Sequence, residues 1–207
     1  LPIDKKEAKL ILKNFNSVDL ALFGRMVADA PELSVDAACQ VAHAISTHRV
    51  QTESDYFTAL DEEKARTVGE DAGAGMIGQV EFVSSTLYRY ATINVDALVS
   101  NLGSDTVALQ AVSAFITAFA RSMPTGKQNT FANRTLPEAL LVQVRDDQPL
   151  SLASAFEQAV RPGIAGGYST GSVEVLVKRL AEIQEAFDLE AVETLAVATG
   201  ESNLKEL

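Results

Sequence analysis

Cys39 and His43 stand four residues apart, a spacing that on a helix puts a thiol and an imidazole on one face. Such a pair can act as nucleophile and base, or as two metal ligands. A zinc site needs three or four ligands, and the sequence offers one further histidine, His48. A core cysteine beside a hydrogen-bonded histidine explains the pair better. Asp146 and Asp147 are adjacent carboxylates, but neighbours on a strand point to opposite faces and do not act together. The segment GKQNT at 126–130 superficially resembles a phosphate-binding loop, yet it lacks the G-x-x-x-x-G-K-[ST] spacing and no strand feeds directly into it. No H-E-x-x-H occurs. The sequence thus predicts no catalytic residue, no metal and no cofactor, and a chain that works by binding and assembly.

Two groups of residues suit binding. Tyr56 and Phe57 are adjacent aromatics among acidic neighbours. On a free-standing hairpin such residues either pack at its base or form a platform for stacking on bases. Lys127, Gln128, Asn129 and Thr130 put one cation and three hydrogen-bonding side chains in a short polar loop, suited to phosphate or ribose. The net charge of −11 argues at first against a nucleic-acid partner. Its distribution weakens that argument. Residues 51–75 hold seven acids and two bases, residues 181–207 seven acids and one base, and the remainder is neutral.

The elements that must position these residues follow from periodicity. The spacing predicts a helix over 4–15, with Lys5, Lys6, Lys9 and Lys13 near one face, and a strand over 18–27. It predicts a helix over 34–46, with Ser34 as N-cap and Val35, Cys39, Ala42 and Ile45 inward. Strand-like runs at 47–60 and 76–95 flank an acidic, glycine-rich segment at 61–75, the signature of a protruding hairpin. Helices are expected at 94–101 and 104–121, the second with Ala108, Val112, Phe115 and Phe119 on one stripe. A loop over 122–131, a strand over 138–146, a glycine-rich loop over 162–171 and a helix over 172–187 with a Glu174–Lys178 pair complete the pattern. Strands and helices mix without strict alternation, which favours an α+β layer fold. The 207 residues, 47% of them apolar, suit one domain. One cysteine fits a reducing cytoplasm. No apolar run approaches the ~18 residues of a membrane span, and no membrane partner is expected. The opening Leu1-Pro2-Ile3 reads as the start of a piece of a longer protein.

Six segments carry a family resemblance: VDLALFGRMVAD (18–29), VDAACQVAHAISTHRV (35–50), DYFTALDE (55–62), GAGMIGQVEFVSSTLYRYATINVDAL (73–98), PTGKQNTFA (124–132) and PLSLASAFE (149–157). In this order and spacing the chain resembles the C-terminal part of the CasC-type backbone subunits of the type I-E CRISPR Cascade, in the CRISPR-associated RAMP superfamily. The resemblance implies a partial RNA-recognition-motif-like (ferredoxin-like) palm, a helical finger remnant and a β-hairpin thumb. It divides one palm and thumb unit into 1–16 (end of the fingers), 17–46 (palm), 47–83 (thumb) and 84–207 (palm and C-terminal helices). It implies a non-enzymatic subunit that binds guide RNA (crRNA), stacks with copies of itself and other Cascade subunits as a helical filament, and supports guide pairing with target DNA in antiviral defence.

Carried over by position, Met26 matches an apolar wedge near the palm. Tyr56, Phe57, Thr58 and Leu60 match thumb positions around the guide–target duplex, and Ile77 the returning thumb strand. Lys127, Gln128 and Asn129 match the polar loop on guide phosphate or ribose. Arg25, His48 and Arg49 join this nucleic-acid-binding set on charge and location. The alternative is a metal-dependent RNA-cleaving subunit, as in type III relatives, with Asp55 or Asp71 as the carboxylate.

Overall fold

In a computed structural model, residues 4, 11, 16–59 and 76–199 are described, without the side chains of Ala59, Met76 and Ile77. Of the expected first helix only Asp4 and Ile11 fall within this set, Ile11 being helical; its lysine face and segment 61–75 lie outside it.

The expected strand at 18–27 is instead a helix, α1 (Val18–Phe23). Ser17 Oγ accepts the Leu20 amide as N-cap, and Asp19 sits in the first turn. Gly24, at φ 78°, ends the helix; a Cβ there would meet the Val35 carbonyl oxygen at 2.8 Å. Ala21 and Leu22 are buried, a helical rather than alternating burial. The expected helix at 34–46 is replaced by two short strands, β1 (Cys39–Val41) and β2 (Ile45–Ser46), preceded by a 3-10 turn (Pro31–Leu33). Ser34 follows that turn, and its hydroxyl accepts the Val27 amide instead of capping a helix. Local periodicity and propensity are weak priors, and cross-strand pairing overrides them here.

That pairing is the spine of the fold. β1 runs antiparallel to β6 (Ala91–Ile93), β2 to β5 (Leu87–Tyr88), and β3 (Glu53–Ala59) to β4 (Met76–Phe82). The partners Cys39↔Ile93, Ile45↔Tyr88 and Glu53↔Phe82 show one ribbon whose register slips by one residue and then by two. Such slips are bulges that bend and twist a ribbon. The hairpin expected from composition is its distal part.

At the proximal end, α2 (Val95–Leu102) and α3 (Asp105–Arg121) pack on α1 and β1. Asn94 and Ser104 cap the two helices, accepting the Ala97 and Val107 amides. Ala21, Leu22, Ala38, Cys39, Leu98, Ala108 and Ala111 form the core, with Val112 and Phe115 against it. The expected α3 stripe is therefore inward over its first three turns. β7 (Ala139–Val144) lies within the expected strand, and pairs with β8 (Glu193–Ala198), which the sequence reading missed. The last helix, here α5 (Ser169–Phe187), starts three residues earlier than expected. Lys178 meets Glu182 at 3.9 Å, not the expected Glu174. The α+β class holds.

The neck of the hairpin is tied to the body at Thr47, 2% exposed. Its amide donates to the Thr86 carbonyl at 3.0 Å, and its carbonyl accepts the Val160 amide at 2.9 Å. Its hydroxyl lies 2.8 Å from Ser172 Oγ on α5 and donates to the Thr86 carbonyl at 3.3 Å. Next to it, His48 Nε2 accepts the Thr86 amide at 3.1 Å, and its Nδ1 faces the Arg49 carbonyl at 2.9 Å. The imidazole also stacks on Tyr168 with ring centroids 3.6 Å apart.

Thr47→Val keeps the shape but removes the buried hydroxyl. We expect it to lower unfolding free energy by about 1–3 kcal/mol in urea titration, the usual cost of orphaning buried polar partners. At the other end of the body, Arg145 grips Asp147 through Nε–Oδ1 at 2.9 Å and Nη2–Oδ2 at 2.6 Å. This hydrogen bonding holds the Asp147 carboxyl below its ordinary value of 3.8. A lowered folded-state pKa stabilises above the unfolded value and loses its effect as pH falls through the folded one. The stability gap between wild type and Asp147→Asn should therefore be present at pH 7 and close below about pH 4.

Candidate nucleic-acid interface

The register of β3 and β4 sorts the hairpin side chains onto two faces. Glu53, Asp55 and Phe57 share one face with Gly78, Val80 and Phe82; Ser54, Tyr56 and Thr58 share the other with Gln79 and Glu81. This separates the two aromatics. Phe57 lies across its partner Gly78, where a Cβ would come within 2.5 Å of the ring. It is 41% exposed, while Tyr56 on the opposite face is 72% exposed. Phe57 is thus the packed aromatic and Tyr56 the more exposed one. Thr58 is exposed beside Tyr56. Leu60 and the Ile77 side chain lie outside the described residues.

The expected loop at 122–131 contains a helical turn, α4 (Gln128–Phe131). Lys127 before it and Ala132 after it both adopt left-handed backbone, at φ 55° and 48°. The Lys127 carbonyl accepts the Thr130 and Phe131 amides, each at 3.0 Å. Left-handed backbone costs a non-glycine residue roughly 1–2 kcal/mol. Part of that cost is recovered at the far end of the turn. Phe131 meets Phe82 at the hairpin base edge-to-face, with centroids 5.4 Å apart and planes at 89°. Such a pair contributes about 0.5–1.5 kcal/mol beyond the area it buries. Lys127, Gln128 and Asn129 are all exposed on this turn, and Gln128 Oε1 accepts Arg134 Nη2 at 3.4 Å. The structure therefore joins the polar loop to the hairpin, two groups that the sequence reading treated separately.

The remaining expected residues divide differently. Met26 is 90% exposed, beside a shallow hollow lined by Phe23, Ser34 and Val35. Arg25 donates through Nε and Nη2 to the Leu33 carbonyl at 2.9 and 2.6 Å, so it braces the chain leading to Met26. Arg49 is exposed. His48 has both ring nitrogens and one ring face engaged at the neck, a structural post. Sequence reasoning missed Phe82, Gly78 and Phe131. The aromatic that ends a polar loop was visible in the sequence; the cross-strand partners required the register. It also missed a second apolar hollow, where Arg89 lies 4.4 Å over the Phe119 ring beside Phe115 and Phe23.

Comparison with known proteins sets these features in context. The model of the Cas family described as CT1975-like protein matches residues 2–207. The chain belongs to the CT1975-like family. No curated protein matches the sequence. Among solved structures, a chain of a "CRISPR RNA-guided surveillance complex, pre-nicking" is similar at 34% identity and TM-score 0.82, over 96% of this chain and 52% of that one. A chain of a "CRISPR RNA-guided surveillance complex" is similar at 34% identity and TM-score 0.78, over 97% of this chain and 75% of that one. This CT1975-like chain thus spans about half the length of the first, and the resemblance to a Cascade backbone-type subunit holds.

In this CT1975-like protein the Cys39/His43 pair dissolves. Cys39 is buried on β1 and burial raises its thiol pKa, while His43 lies exposed beyond the strand end. A raised, buried thiol is a poor nucleophile. Asp55 stands exposed on the Phe57 face, and Asp71 lies outside the described residues. Among the described residues no group of three or more His, Cys, Asp or Glu side chains could hold a metal ion, and no helix is long and apolar enough to cross a membrane.

The Phe57–Gly78 contact is directly testable. Gly78→Ala should drive the Phe57 ring off the hairpin and speed amide exchange along β3 and β4, while α2 and α3 stay protected. Unchanged exchange in β3 and β4 would show that the ring does not rest on Gly78.

Proposed function

We propose that this chain is the guide-RNA-binding part of a backbone subunit that stacks with copies of itself along one guide RNA in a cytoplasmic CRISPR surveillance complex. The hairpin acts as a thumb reaching over guide–target pairing, and the body contributes to an RNA-recognition-motif-like palm. The observation that carries this reading is an exposed Tyr56 on the hairpin face opposite Phe57, with the Lys127–Asn129 turn docked at the hairpin base. The family assignment and the similarity to surveillance-complex chains support it.

The physical roles follow from the groups available. Tyr56 offers a ring to a base or base pair, an interaction that tolerates any sequence because every base has a π face. Lys127 supplies a positive charge to a phosphate, and Gln128 and Asn129 supply donors and acceptors to phosphate or ribose. Met26 offers an exposed apolar wedge that can separate stacked bases. Arg49, on the chain leading into the hairpin, adds a second cation. None of these contacts reads a base edge, so sequence recognition falls to guide–target pairing while the protein holds shape and backbone. The subunit cuts nothing in this reading, and cleavage belongs to a separate nuclease.

Tyr56→Ala in the full-length protein, assembled on guide RNA, should weaken binding of complementary target by roughly 5–150-fold, equivalent to the ~1–3 kcal/mol of a lost base–aromatic stack. Thermal unfolding should be unchanged, because Tyr56 is exposed. Phe57→Ala should do the reverse, lowering hairpin stability first. Target binding by Tyr56→Ala at the wild-type level contradicts the stacking role. Periodic cleavage of complementary RNA by the assembled protein with Mg²⁺ contradicts the non-enzymatic reading.

A further inference from the structure

We propose that Phe131 is a positioning residue for guide binding: docked on Phe82, it sets the Lys127–Asn129 turn against the hairpin base without itself touching RNA. This rests on the reading that the turn contacts guide RNA.

The case is geometric. Phe131 and Lys127 belong to one helical turn, joined directly because the Phe131 amide donates to the Lys127 carbonyl at 3.0 Å. The turn is held between two left-handed residues, Lys127 and Ala132, a conformation that non-glycine residues keep only when their surroundings enforce it. The enforcing contact is the edge-to-face pair with Phe82. Phe82 is in turn fixed by register, paired with Glu53 where β3 begins and β4 ends. The weak Gln128–Arg134 contact at 3.4 Å lies within the same loop and ties it to nothing beyond. Of the described aromatic contacts, the Phe82–Phe131 pair is the one that links this loop to the hairpin. Removing either ring frees the turn to relax, which moves Lys127 away from the place where the hairpin presents the guide.

This arrangement has a signature that general destabilisation lacks. Each phosphate neutralised on single-stranded nucleic acid contributes about 0.7 to the slope of log K against log salt. Lys127→Ala should therefore weaken binding of the full-length protein to guide RNA and lower that slope by about 0.7. Phe131→Ala removes no charge, yet should lower the slope by the same amount. The Phe131→Ala, Lys127→Ala double variant should match either single variant. Phe131→Tyr, which keeps the ring, should restore the wild-type slope. Phe82→Leu approaches the contact from the hairpin side and should reproduce Phe131→Ala even if that variant folds poorly. Loss of slope in Lys127→Ala but not in Phe131→Ala or Phe82→Leu overturns the positioning role and leaves the RNA reading standing. A wild-type slope in Lys127→Ala overturns the RNA contact itself, and the positioning role with it.

Discussion

A bare two-stranded ribbon is barely stable in water, so the direction of the long hairpin depends on how its neck is held. Thr47 does this with three groups that make four contacts. Its amide and hydroxyl reach Thr86 across the ribbon, its carbonyl takes the Val160 amide, and its hydroxyl meets Ser172 on α5. Burial of this junction raises the cost of breaking it, because each freed group would be left without water. His48 stacked on Tyr168 adds a second tie one residue further out. Downstream of that anchor lie all the hairpin residues with a proposed binding role.

The division of the aromatics follows from the same ribbon. A strand places adjacent residues on opposite faces, so Tyr56 and Phe57 cannot share a task. Gly78 opposite Phe57 provides a bare backbone for the ring, which stiffens the strand pair and leaves Tyr56 outward. The Phe57 face continues through Val80 to Phe82 and receives Phe131. One face of the hairpin is thus spent on its own support and on docking the polar loop, and the other is offered to a ligand. The acidic balance of the chain fits this economy of cations. Few positive groups are used, and the excess acids cluster in 51–75 and 181–207.

The sequence was most legible where the periodicity ran long. Asn94 and Ser104 mark the starts of α2 and α3, and the hairpin was readable from two extended runs around an acidic, glycine-rich tip. It misled where short segments fit two periods. VDLALF alternates well enough for a strand, but the Ser17 cap and the left-handed Gly24 make it one and a half turns of helix. The Ser34 cap and the spacing of Val35, Cys39, Ala42 and Ile45 suggested a helix, whereas pairing of Cys39 with Ile93 and Val41 with Ala91 drew the chain into the ribbon. β8 went unseen because its apolar alternation lies within an acidic segment. Within the site, residue types identified Tyr56 and Lys127 as candidates. They could not reveal that His48 is a structural post, or that Phe131 connects loop to hairpin, since both facts depend on partners distant in sequence.

The most direct test of this account is photo-crosslinking of guide RNA in the assembled full-length complex, with adducts mapped by mass spectrometry. The expected result is adducts at Tyr56 and within the peptide carrying Lys127, Gln128 and Asn129, with His48 unmodified because its ring is held by Thr86, Arg49 and Tyr168. Adducts concentrated at His48, or absent from both the hairpin and the Lys127 turn, would contradict it.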